Sequence, residues 1–83
     1  METRVAVISI IVENPDSVCE LNDILHKYGN HIIGRMGIPY KARNLNLISV
    51  AIDAPLDTIN TLTGLLGKLD GVSAKTVFSK LDN

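Results

Sequence analysis

Apolar positions along the chain follow two rhythms, one of period two and one near 3.6. Positions 5–12, Val-Ala-Val-Ile-Ser-Ile-Ile-Val, are apolar except for Ser9 and mostly β-branched, a composition that packs well on a pleated surface. The run has the length of a strand. Alternation puts Val5, Val7, Ser9 and Ile11 on one face and Ala6, Ile8, Ile10 and Val12 on the other. Neither face is polar, so both need cover and the strand is predicted to be central. Leu45 to Ile52 reads the same way, with Leu45, Leu47, Ser49 and Ala51 opposite Asn46, Ile48, Val50 and Ile52. It is the second central strand.

Between these strands the rhythm changes. Glu13-Asn14-Pro15-Asp16 opens a helix: Asn14 suits the N-cap, Pro15 the first helical position, and Asp16 the positive end of the helix dipole. Val18, Leu21, Ile24, Leu25 and Tyr28 then fall on one side, with Lys27 in the last turn and Gly29 placed to close the helix at C′. A strand from His31 to Tyr40 follows. It carries Gly34, Gly37 and Pro39, and a residue without an N–H belongs at a sheet edge. Lys41 to Asn44 is a polar turn. After the third strand, Asp53-Ala54-Pro55 repeats the strand-to-helix signal, and the second helix buries Ile59, Leu62, Leu66 and Leu69, flanked by Leu65. Asp70-Gly71 ends it. Val72 to Ser79 alternates with one polar face, the mark of an edge, and Lys80 to Asn83 is expected to fray.

The order is β-α-β-β-α-β with the most apolar strands first and third. This predicts one α+β domain, residues 1–83, with a ferredoxin-like fold: a four-stranded antiparallel sheet of order 4-1-3-2 with both helices on one face. The bulkier set, Ile8, Ile10, Val12, Ile48, Val50 and Ile52, is expected to meet the helices. Val5, Val7, Ile11, Leu45 and Leu47, around Ser9, Ser49 and Ala51, are left on the open face. Burying a Val or Leu is worth about 1.5–3 kcal/mol, so a patch of this kind predicts self-association, as a dimer or tetramer. Asn60, Gly64 and Gly67 form a small-residue strip on the outer side of the second helix, read either as a contact with another chain or as a loosely wound helix end.

Composition narrows the function without naming it. At 83 residues with 46% hydrophobic content, one Phe and no Trp, the core is aliphatic and small, burying only about 60–65% of the unfolded surface. A net charge of −1 argues against binding to a phosphate backbone. With one cysteine, Cys19, no intrachain disulfide forms. The start, Met-Glu-Thr-Arg, lacks the features of a signal peptide, and no apolar run approaches the roughly 20 residues of a membrane span, so a cytoplasmic setting is expected.

Four stretches bear on chemistry. Gly34-Arg35-Met36-Gly37 places two glycines three apart in a strand beside a planar fork of donors suited to a carboxylate or phosphate; it reads as a ligand or subunit-contact strand, or as a bulged edge with a solvated Arg35. Asn14 and Asp16 sit where free N–H groups at a helix start could hold an anion, although ordinary capping accounts for them as well. Cys19, Asp23 and His26, with His31 nearby, form a column on the first helix; without a second cysteine or a paired-ligand motif it does not predict a metal site. Ser9 and Ser49 lack an orienting His–Asp set, and no phosphate-binding glycine pattern occurs, so neither catalysis nor a cofactor is expected.

The element order, the Asn-Pro turn and the apolar open face resemble the ACT-like regulatory domains, which bind small effectors at subunit interfaces, often near the first strand-to-helix turn. Longer segments carry a narrower likeness. Arg4-Val-Ala-Val-Ile8, Tyr28-Gly29, Ile32-Ile-Gly-Arg-Met-Gly-Ile-Pro-Tyr40 and Leu62-Thr-Gly-Leu-Leu-Gly-Lys68 before Gly71-Val72 resemble the iron-only hydrogenase system regulator family, similar in fold to the C-terminal domain of the nickel-responsive repressor. The resemblance implies a regulatory role in the expression or maturation of that hydrogenase. No segment remains for a DNA-reading motif, and direct nucleic-acid binding is not expected. The expected module is non-enzymatic and oligomeric, holding a small effector with Asn14, Asp16, Gly34, Arg35, Met36 and Gly37. The alternative is an adaptor that recruits a protein through its apolar sheet or helix surface.

Overall fold

A computed structural model describes residues 2–80. In chain order these form β1 (Arg4–Val12), a 3-10 turn (Pro15–Ser17), α1 (Val18–Lys27), a second 3-10 turn (Gly29–His31), β2 (Ile32–Tyr40), a third (Lys41–Arg43), β3 (Leu45–Ala54), α2 (Leu56–Gly67) and β4 (Val72–Phe78). The sheet runs β2-β3-β1-β4, with every neighbouring pair antiparallel. This is the predicted order read from the opposite edge. β1 and β3 are central because both faces of each are apolar, and their register pairs Ile8 with Val50 and Ile10 with Ile48.

The core lies on one side of the sheet. Ala6, Ile8, Ile10 and Val12 of β1 and Ile48, Val50, Ile52 and Ala54 of β3 join Leu21 and Leu25 of α1 and Ile59, Leu62 and Leu66 of α2 in one buried cluster. Both helices therefore cover the same face. β4 is tied to α2 by a 2.7 Å hydrogen bond between the Thr63 and Thr76 hydroxyls. At its far end Arg4 stacks on the Phe78 ring, its guanidinium carbon 5.2 Å from the ring centroid.

Several local expectations need correction. Gly29 does not take the left-handed C′ conformation; among the described residues only Asn44 (φ 54°) and Gly71 (φ 69°) have positive φ. The chain leaves α1 through a right-handed 3-10 turn instead, in which the Tyr28 N–H donates to Leu25 O and the His31 N–H to Tyr28 O. That turn absorbs His31, so β2 begins at Ile32. Asp53 and Ala54 do not open the second helix. They extend β3, because Arg4 and Val5 lengthen its partner strand and pair with them. Pro55 consequently stands at the N-cap of α2, where its carbonyl accepts the first helical bond from the Ile59 N–H. β4 ends at Phe78 rather than Ser79, although the Ser79 N–H still donates to Val5 O. Of the tail expected to fray, Leu81 to Asn83 lie outside the described residues.

Candidate functional site

Alternation along β2 divides the glycine tract between the two sides of the sheet. Gly34 pairs with Ala51, Met36 with Ser49 and Ile38 with Leu47, so these residues share the open face. Arg35 and Gly37 pair with Val50 and Ile48 and face the helices. The four residues read together in the sequence therefore belong to two surfaces.

Among the described residues no helix lies over the open face. Ser9 and Ser49 form a low row, bordered by Met36 at its β2 end and by the row of Ile11, Leu47 and Ile38; together they line a shallow hollow of about 230 Å³. Val7 and Val77 continue the apolar surface, Val77 being 68% exposed and Met36 62%. The sequence reading placed Val5, Val7, Ile11, Leu45 and Leu47 on this side, and did not assign it Met36, Ile38, Tyr40 and Val77. Carrying the period-two count through β2 and β4 would have found them. Gly64 and Gly67 lie on α2, away from this face, and a Cβ built at either meets no atom within 4 Å.

Asn14 and Asp16 are placed elsewhere again. The Asn14 Oδ1 accepts from the Asp16 N–H at 3.0 Å, and its Nδ2 donates to the Asp70 carboxylate at 2.6 Å. Beside it the buried Ser17 hydroxyl donates to Asp70 O at 2.6 Å, and the Glu13 N–H donates to Gly71 O at 2.7 Å. The three bonds to Asp70 and Gly71 clasp the β1–α1 junction to the α2–β4 turn, and both ends of the Asn14 side chain are engaged. The Gly71 backbone passes so close that an added Cβ would stand 2.7 Å from Asn14 Cβ.

A groove runs between α1 and β2. It exists because the helices sit over the central strands and Gly37 puts no side chain on its floor, where the nearest atom to an added Cβ is Ile48 Cγ1 at 3.9 Å. Arg35 crosses it and donates from Nη2 to Asn22 Oδ1 at 3.0 Å. On one side of that bridge lies a space of about 210 Å³ bordered by Val18, Gly37, Pro39, Asn46 and Ile48. On the other lies about 370 Å³ bordered by Leu25, His26, Gly29 and Ile32. Asn22 and Asn46 carried no role in the sequence reading. Asn22 sits one position past Leu21 on the apolar stripe, and that flanking place was the available signal.

Cys19 is exposed, and among the described residues no group of three or more His, Cys, Asp or Glu side chains comes together in a way that could hold a metal ion. No helix among them is long and apolar enough to cross a membrane.

Comparison with known proteins agrees with this architecture. The model of the TM1266-like family, provisionally described as iron-only hydrogenase system regulators, matches residues 4–76. The structure of the uncharacterized protein TM1266 from Thermotoga maritima superposes with a TM-score of 0.91 at 32% identity, covering 95% of this chain and 100% of that one. Two further structures share the fold alone. The C-terminal domain of the MgtC protein from Mycobacterium tuberculosis matches at TM-score 0.74 and 10% identity over 99% of this chain and 94% of that one. The de novo designed protein Foldit4 matches at 0.55 and 23%, over 95% and 100%. No curated protein sequence matches the chain.

Proposed function

The chain belongs to the TM1266-like family of iron-only hydrogenase system regulators, and from that membership we propose that it is a non-enzymatic regulatory module that acts as an assembly of its own copies and responds to a small effector. The observation that carries this reading is the uncovered apolar face. Four strands about 4.8 Å apart, each contributing about seven residues at about 3.4 Å, make a face of roughly 450 Å² before side-chain relief is added, apolar across β1, β3 and β2 around Ser9 and Ser49, with Asp53, Ser73 and Lys75 at its margin. Two facing copies would bury about 1,000 Å² in total, near the lower bound for a specific pair. The face also holds a ridge, Ile11, Leu47 and Ile38, next to a low row at Ser9 and Ser49, so one surface offers both a knob and a recess to its own duplicate. Gly64 and Gly67 leave a second clear surface on α2, through which pairs could join into a tetramer.

A second reading, an adaptor for another protein, is favoured by the outer edge of β2. That strand is nine residues long and exposes Ile33, Met36, Ile38 and Tyr40, a form suited to strand addition by an extended partner.

The regulatory reading is tested in cells that carry this chain and an iron-only hydrogenase. Deleting the gene should change hydrogenase activity. The wild-type chain should restore it, and an Ile11→Lys chain that is folded but dissociated should not. Unchanged activity after deletion contradicts the regulatory role. Full rescue by the dissociated chain contradicts the assembly.

A further inference from the structure

The groove between α1 and β2 has a composition that selects among ligands. Its polar lining consists of Arg35, Asn22, Asn46 and His26, and none of the described residues bordering either space is acidic. The chain as a whole carries a net charge of −1, so this lining departs from the average surface. Its remaining lining is apolar, chiefly Leu25 and Ile32 on one side of the Arg35 bridge and Val18 and Ile48 on the other. Arg35 spends one of its five N–H donors on Asn22. Nη2 carries two hydrogens and gives one to Asn22, so one of the two planar donor pairs, Nε with Nη2 or Nη1 with Nη2, remains for an anion, and among the described residues no carboxylate bonds this guanidinium.

Gly37 supplies a second, independent observation. It is a strand glycine without positive φ, and a side chain there would make only ordinary contact with Ile48. Glycine in a strand interior costs stability through backbone entropy, and neither a turn nor a close approach within this chain requires it here. What its missing side chain does achieve is to keep the groove open beside Arg35.

We propose that this groove binds a small monocarboxylate with a short apolar body, its carboxylate on the free donor pair of the Arg35 guanidinium and its body over Val18 and Ile48, beside Gly37. The inference rests on the effector-binding part of the function proposed above and assigns that effector's class and place. A planar fork matches the two oxygens of a carboxylate, and the apolar walls favour a carbon chain over water. The pocket is poor for a phosphate ester. It has one arginine and no glycine-rich loop, and the start of the first helical segment, at Asn14 and Asp16, is satisfied by its own cap. The site lies apart from the β1–α1 turn, where Asn14 is engaged with Asp70.

The test is a titration of the isotope-labelled chain followed by two-dimensional amide NMR, with acetate, butanoate, hexanoate, inorganic phosphate and butylamine as probes. Saturable shifts are expected at the Asn22 and Asn46 side-chain amides and the Gly37 N–H, with affinity rising from acetate to hexanoate and no response to butylamine. Arg35→Gln should weaken hexanoate at least tenfold, Arg35→Lys by less, and Gly37→Leu should abolish binding by filling the groove, each with an unchanged melting temperature within a few degrees. Phosphate binding in preference to the carboxylates overturns the ligand class. No saturable shift with any anion, or binding that is indifferent to Arg35→Gln and Gly37→Leu, overturns the site. These outcomes are read on the isolated chain, so they leave the assembly and the hydrogenase phenotype to their own measurements.

Discussion

At the scale of single residues the fold depends on a few groups that only one kind of side chain satisfies. Gly71 is held twice, by a φ of 69° and by its approach to Asn14. Gly71→Ala should cost about 2–3 kcal/mol, since the left-handed strain alone is about 1–3 kcal/mol, and should lower the melting temperature by roughly 10–20 °C in a calorimetric scan. Asn14→Ala removes the cap and the bond to Asp70 and should cost about 1 kcal/mol in urea unfolding; a loss below a few tenths would show the clasp to be incidental. Capping by Asn14 was legible in the sequence, because an Asx-Pro pair after an apolar strand has one ordinary meaning. Its partner was not. Asp70 lies 56 residues away, and that contact is created by the antiparallel return of β4 beside β1.

At the scale of elements, β1 and β3 were legible because both faces of residues 5–12 and 45–52 are apolar but for Ser9, Asn46 and Ser49, a pattern with few alternatives once the run is too short for a helix. β2 was harder. Its glycines blur the alternation, a bulge between Ile32 and Gly34 shifts the register, and so Arg35 and Met36 were read together although they face opposite ways. The limits of the helices moved for a similar reason: β1 reaches back to Arg4 and draws Asp53 and Ala54 into the ladder, which composition alone does not announce. α2 carries an opportunity for test. Gly64 lies inside the helix with no neighbour to obstruct a Cβ, so Gly64→Ala should stabilise the chain by about 1 kcal/mol and raise the melting temperature by roughly 4–8 °C. If the α2 surface joins pairs of chains, Gly64→Leu should lower the subunit number while helical content by circular dichroism stays constant. An unchanged subunit number would remove α2 from the assembly.

At the scale of the whole molecule, the helices cover one side of a sheet whose two inner strands are apolar on both. The buried cluster of Ile8, Ile10, Val50, Ile52, Leu62 and their neighbours satisfies one side. Removing a member is costly: Leu62→Ala should lose about 2–5 kcal/mol, a large part of the roughly 4–12 kcal/mol expected for a chain of this size. The other side is left with Val7, Ile11, Leu47, Met36, Ile38 and Val77 in water. That imbalance is written in the alternation of β1 and β3 themselves. It links the fold to the proposed regulatory role, because association of copies through this face would cover what the helices leave open. Sedimentation velocity of the unmodified chain across about 1–100 μM tests this most directly. The account predicts a dimer or larger species throughout, shifting to monomer in Ile11→Lys without loss of fold. A wild-type chain that sediments as a monomer over the entire range would contradict it.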